Sequence, residues 1–132
     1  MTPFPSRVRV LVADDTVIIR TVVRRILESD DHFEVVGEAG NGREAIEQAQ
    51  ALTPDLVLLD LAMPEMDGLE ALPHLRALLP QPRVIVLSAF SPDQMASDAI
   101  AAGALTYMEK AQLATKLIPH IVAALEGALL DT

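Results

Sequence analysis

The sequence has no cysteine and no tryptophan, and only one tyrosine and three phenylalanines. Without cysteine, disulfides and thiolate metal sites are excluded. With aromatics at 3%, a core must be built from Leu, Ile, Val, Ala and Met. Basic residues are also scarce, 10 against 19 acidic ones, for a net charge of -9. That balance lacks the basic face needed to bind nucleic acid directly or to sit on an anionic membrane. No apolar run is long enough to span a bilayer. No basic stretch followed by an apolar segment opens the chain, so the expected location is cytoplasmic. No glycine-rich loop follows the first apolar run, which disfavours a nucleotide-binding domain.

What is present is one domain's worth of chain, 132 residues with 51% hydrophobic content. Five short apolar runs alternate with helical patterns: Val8–Ala13, Phe33–Val36, Leu56–Leu59, Val84–Leu87 and Leu105–Met108. Three are continuous rather than alternating, as parallel strands read when helices cover both faces. The second is the most polar in its flanks and belongs at an edge. The first helix carries an apolar stripe from Ile18 to Leu27. The second opens on Asn41 with Glu44 three residues later, a capping-box pattern, and ends before Thr53-Pro54. The fourth is expected to open at Ser91-Pro92, with Gln94 at the reciprocal cap position, and to end at Gly103 in a left-handed conformation. The last spans Leu117 to Leu129. Pro73, within the pattern Leu69–Leu79, and Pro119 should kink their helices or delay their starts. A repeated strand–helix unit with short connections predicts an α/β fold, a parallel sheet wrapped on both faces by helices.

In such sheets ligands gather beyond the carboxyl ends of the strands. The first run ends in Asp14-Asp15, the third in Asp60, the fourth in Ser88 and the fifth in Glu109-Lys110. Clustered carboxylates repel one another, and a hard cation such as Mg²⁺ relieves the repulsion while leaving room for phosphate oxygens. A carboxylate can also attack phosphorus, with a metal and an ammonium neutralising the transferring group. Ser88 could donate a hydrogen bond to one of its oxygens. Singly, each of these residues has a plainer reading. Asp14-Asp15 could cap a helix, Lys110 could be a solvated charge and Tyr107 a half-buried aromatic on an edge strand. Asp60 differs, because four apolar residues lead straight into it and burial without a role would be costly. His32, His74 and His120 have no ligand spacing.

The segments VLVADD at 10–15, DLVLLDLAMPEMDG at 55–68, VIVLSA at 84–89 and GALTYMEK at 103–110 resemble the response-regulator receiver domain of bacterial two-component systems, of the chemotaxis-receiver kind. The resemblance covers about residues 7 to 127, between an N-terminal extension, 1–6, and a tail, with the domain closing at 129. It implies a flavodoxin-like, doubly wound five-stranded parallel sheet in the order 2-1-3-4-5 with five helices. It implies that Asp14 and Asp15 hold Mg²⁺ (or Mn²⁺) with Asp60 and the backbone carbonyl of Ala62. Asp60 then accepts a phosphoryl group from a histidine kinase or phosphotransfer domain, assisted by Ser88 and Lys110, and the domain switches partner binding rather than acting as an enzyme. Ser88 and Tyr107 map to the switch, Ala62 and Phe90 to positions that govern dephosphorylation. The fourth helix, fifth strand and fifth helix map to a surface that forms homodimers in the family. Receivers commonly carry proline after the lysine, often cis. Here it is Ala111, where a cis bond would cost about 2.5–4 kcal/mol, so the following loop is expected to differ. Two alternatives remain: a fragment of a longer regulator with an output domain, and a haloacid-dehalogenase-like phosphatase. The latter would need an acid where Ala62 stands. A pseudo-receiver would lack one of the acidic or lysine positions, and all are present.

Overall fold

The computed structural model describes residues 7–89 and 94–130. The chain alternates strand and helix: β1 Val8–Ala13, α1 Val17–Glu28, β2 Phe33–Ala39, α2 Gly42–Leu52, β3 Leu56–Asp60, α3 Gly68–Arg76, β4 Arg83–Ser88, α4 Gln94–Ala101, β5 Thr106–Glu109 and α5 Leu113–Leu130. All strand pairs are parallel, in the order β2-β1-β3-β4-β5. The expected α/β sheet and its strand order are therefore observed.

The continuous apolar runs follow from this arrangement, because successive side chains enter opposite cores. Val10 and Val12 of β1, Leu56 and Leu58 of β3, and Ile85 and Leu87 of β4 pack with Val23 and Leu27 of α1 and with Leu117, Ile121 and Leu125 of α5. The intervening Leu11, Ala13, Val57, Leu59, Val84 and Val86 pack with Ala45 and Ala49 of α2, Leu72 and Leu75 of α3, and Ala96 and Ala99 of α4. Small alanines let α2 and α4 lie close to the sheet, which compensates for the lack of aromatics.

Several expected boundaries are corrected. β2 runs three residues past Val36, because a bulge leaves Val36 unmatched: Val10 pairs with Val35, and Leu11 with Gly37. β5 begins at Thr106 rather than Leu105. α3 stops at Arg76, short of Leu79, ahead of Pro80 and Pro82. Neither proline delays a helix. Pro73 lies five residues into α3 and Pro119 six into α5, so each removes an interior backbone donor.

The caps hold closer to expectation. Asn41 accepts from the Glu44 N–H at 2.8 Å, while the Glu44 carboxylate returns to the Gly40 N–H at 2.9 Å, one residue before the cap. Gly103 has φ +113, and the Ala104 N–H reaching back to Ala99 closes α4. Ser91 and Pro92 lie outside the described residues. The Lys110–Ala111 peptide is trans, and one 3-10 turn, Lys110–Gln112, carries the chain into α5. Among the described residues, no helix is long and apolar enough to cross a membrane.

Candidate functional site

Parallel pairing brings the ends of β1, β3, β4 and β5 to one rim of the sheet. Three of the chain's polar side chains are buried there: Asp14, Asp60 and Ser88. Each follows directly from a strand whose apolar residues fill both cores, so the backbone delivers it into the interior. Asp15, the next residue after Asp14, is exposed.

Lys110 ties the carboxylates together. Its Nζ lies 2.8 Å from Asp14 Oδ2 and 3.0 Å from Asp60 Oδ2. The other Asp60 oxygen accepts from the Ala62 N–H at 3.0 Å. Asp14 Oδ1 accepts from the Thr16 N–H at 2.8 Å. Asp14 Oδ2 is buried and takes no hydrogen bond of good geometry, so the ammonium meets it as an ion pair alone. One oxygen from each of Asp14, Asp15 and Asp60 lies within 4.8 Å of the others. A buried carboxylate oxygen with spare acceptor capacity, in a set of three carboxylates, is the donor set a hard oxygen-seeking cation takes.

Electrostatics agree. Burial raises the Asp60 carboxyl to about 6, opposed by the Lys110 and Ala62 hydrogen bonds and reinforced by the Asp14 charge. Burial by itself would lower the Lys110 ammonium. The carboxylates of Asp14 and Asp60 outweigh it and hold the group above its ordinary range.

Beside Asp60 lies a cavity of about 160 Å³, lined by Ala62, Leu87, Ser88, Ala89 and Met95 among others. Ser88 closes β4 opposite Glu109 of β5. Tyr107 is half-buried on β5, paired with Val86 and packed against the α2–α4 side of the core. Ala62 is exposed; Phe90 lies outside the described residues.

Sequence reading missed three supports of this rim. Arg20 Nη1 donates to the Asp14 carbonyl at 2.6 Å. The Gly42 N–H donates to the Met66 carbonyl at 2.7 Å, and Asn41 bonds Glu65, fastening the loop after Asp60 to the start of α2. Gly68 sits so close to the Asp60 carbonyl that a Cβ there would collide with it. The glycine that ends the segment DLVLLDLAMPEMDG was the available signal for the last; nothing local marks the other two.

The family model for response regulator receiver domains matches residues 10–122. Chemotaxis protein CheY of Listeria monocytogenes is 41% identical over 116 residues, covering 88% of this chain and 97% of that protein. Transcriptional regulatory protein LiaR of Bacillus subtilis is 39% identical over 120 residues, 91% of this chain but 57% of its own length. A protein-glutamate methylesterase of Carboxydothermus hydrogenoformans is 40% identical over 106 residues, and the chain spans 30% of it. Among solved structures, the response regulator domain of Thermotoga maritima CheB superposes with TM-score 0.83 at 32% identity, over 91% of this chain and 97% of that one. The CheX-CheY complex of Borrelia burgdorferi, solved with BeF₃ and Mg²⁺, gives 0.73 at 28% identity, over 86% and 89%. With its five-stranded order, its buried Asp14–Lys110–Asp60 arrangement and these relatives, the chain belongs to the response regulator receiver domains of two-component signalling.

Proposed function

We propose that Asp60 is the phosphoacceptor of this receiver. Asp14, Asp15, Asp60 and the backbone carbonyl of Ala62 hold Mg²⁺ (Mn²⁺ would also suit) beside it. The observation that carries this reading is a buried carboxylate facing an ammonium and two further acids at the mouth of a cavity. A bound divalent cation supplies charge neutralisation for the oxygens of the transferring group. An ionised Asp60 oxygen forms the new bond to phosphorus as the bond to the donor's histidine nitrogen breaks. The electron pair leaves with the imidazole, which takes up a proton. Lys110 already spans two carboxylates, so it can shift to a phosphoryl oxygen without leaving the site. Ser88 donates to another such oxygen, and Tyr107, half-buried behind it, turns inward. Ala62 stands two residues after the acceptor and Phe90 two after Ser88 in the sequence, and neither side chain can hydrogen-bond a hydrolysing water, so the phosphoryl group leaves slowly.

The donor is a histidine kinase or phosphotransfer protein. The output is a changed partner surface on α4, β5 and α5, where homodimers form, with no direct contact to nucleic acid or membrane and with the cytoplasm as the site of action. The match to CheY runs along 97% of that protein, so one arrangement open to this receiver is a domain on its own. Coverage of 57% of LiaR supports a second arrangement, a receiver followed by an output domain; the full reading frame separates them. A phosphatase of the haloacid-dehalogenase kind has no support, since Ala62 occupies the position of its second acid.

Incubation with a small phosphodonor and Mg²⁺, read by intact mass, tests the acceptor. One phosphoryl group per chain is expected, and none in Asp60→Asn. Undiminished labelling of that variant overturns the assignment. Faster loss of label from Ala62→Asn than from wild type is expected from the lifetime reading; an equal rate removes it.

A further inference from the structure

Asp14 is fixed at three points besides its ion pair. Its N–H donates to the Ala39 carbonyl at 2.9 Å, its Oδ1 accepts from Thr16, and its carbonyl accepts from Arg20 at 2.6 Å. The last bond orients the peptide that joins Asp14 to Asp15, and so sets the direction from which the exposed Asp15 carboxylate approaches the cluster. Arg20 is itself held. Its Nε donates to Glu38 Oε1 at 3.0 Å, and its side chain is only 17% exposed. Glu38 is shared: its second oxygen lies 2.8 Å from Arg24 Nη2, and Arg24 Nη1 bonds Glu28 at 2.8 Å. Two guanidinium groups and two carboxylates form a neutral ladder from α1 to the end of β2. The charge of Arg20 is thus balanced away from the acidic cluster, while its second nitrogen is used on a metal-site backbone.

We infer that Arg20, held by Glu38, is a positioning residue for the acidic pair, setting the affinity of the site for a divalent cation by fixing the Asp14–Asp15 peptide. This rests on the reading of Asp14, Asp15 and Asp60 as the metal site. Partners that orient metal ligands from outside the coordination shell commonly matter by about 10–100-fold in affinity. A lysine can reach one of the two acceptors but lacks the fork that reaches both.

The test is a Mg²⁺ titration of the full chain followed by amide NMR shifts, which reads the folded molecules and is insensitive to a mere loss of stability. Wild type should saturate and Asp15→Asn should not. Against that baseline, Arg20→Ala should bind about tenfold more weakly. Glu38→Gln should weaken binding too, because it leaves the guanidinium charge of Arg20 uncancelled beside the acids. Arg20→Lys should recover part of the loss. If Arg20→Ala is too unstable to titrate, Glu38→Gln and Arg20→Lys carry the comparison. An affinity in these variants equal to wild type overturns the positioning role while leaving the metal site standing. A wild type that does not respond to Mg²⁺ overturns both.

Discussion

The two halves of the functional rim are built differently. On the β1–β3 side, Val10 to Ala13 and Leu56 to Leu59 are fully buried, and Asp14 and Asp60 each have backbone and side-chain partners. On the β5 side, Thr106, Tyr107 and Glu109 are partly exposed. The difference separates two demands on a phosphorylation switch. Chemistry needs ligands that do not move, whereas signalling needs an element whose alternative arrangement is only slightly higher in energy. On the function proposed above, the first falls to the buried centre of the sheet and the second to its more exposed edge.

Core truncation should show the contrast most strongly. Leu58→Ala should cost about 2–5 kcal/mol in urea unfolding, and Tyr107→Ala about 1 kcal/mol. Equal costs would erase the distinction between centre and edge.

Next in size is the strain of the buried acid. Asp60 is raised to about 6 in the metal-free protein. A carboxyl raised on folding contributes stability that is fully present below its unfolded value near 4 and lost as pH rises through the folded one. Metal-free protein should therefore weaken between about pH 4 and 6. Asp60→Asn should be more stable than wild type at pH 8 by about 1–3 kcal/mol, with the gain gone near pH 4. A gain that is independent of pH would locate the strain elsewhere.

Mg²⁺ should reverse part of that strain. At ten times its dissociation constant it should add about 1.4 kcal/mol, seen as a rise in Tm that a chelator removes and Asp15→Asn lacks. A Tm that ignores Mg²⁺ would break the assignment of rigidity to metal binding.

The smallest effect is expected from Tyr107→Phe, within about 0.5 kcal/mol of wild type in stability. A loss well above 1 kcal/mol would mean that the hydroxyl fastens the resting state, and the edge would be less free than its exposure suggests.

Much of this was legible in the sequence because one physical rule carried it. Strands buried on both faces read as unbroken apolar runs, so their ends, Asp14, Asp60 and Ser88, could be located without knowing the helices. Lys110 followed from the same count. Gly103 and the Asn41–Glu44 cap were equally local. What escaped depended on contacts between distant segments. Arg20 and Glu38 are 18 residues apart, and each alone reads as surface charge. Glu38 was further hidden because β2 was judged to end where its apolar residues end, at Val36. The Gly42–Met66 bond uses backbone atoms only, which no side-chain pattern records.

The bulge in β2 has a consequence for phase. Phe33 and Val35 enter the α1–α5 core, and in an unbroken two-residue period Gly37 and Ala39 would follow them. Instead Ala39 packs on the opposite side, and a Cβ on Gly37 would meet Leu52 of α2. Val36 acts as a half-period delay: the strand enters in one phase and leaves in the other. Even-numbered Glu34 is exposed, whereas even-numbered Glu38 emerges toward α1, within reach of Arg20 and Arg24. Deleting Val36 would let Val35 and Gly37 alternate in the ordinary way and keep the outgoing phase, with Glu38 still toward α1. The pairing of β1 with β2 can thus lose this residue and still present Glu38 to Arg20.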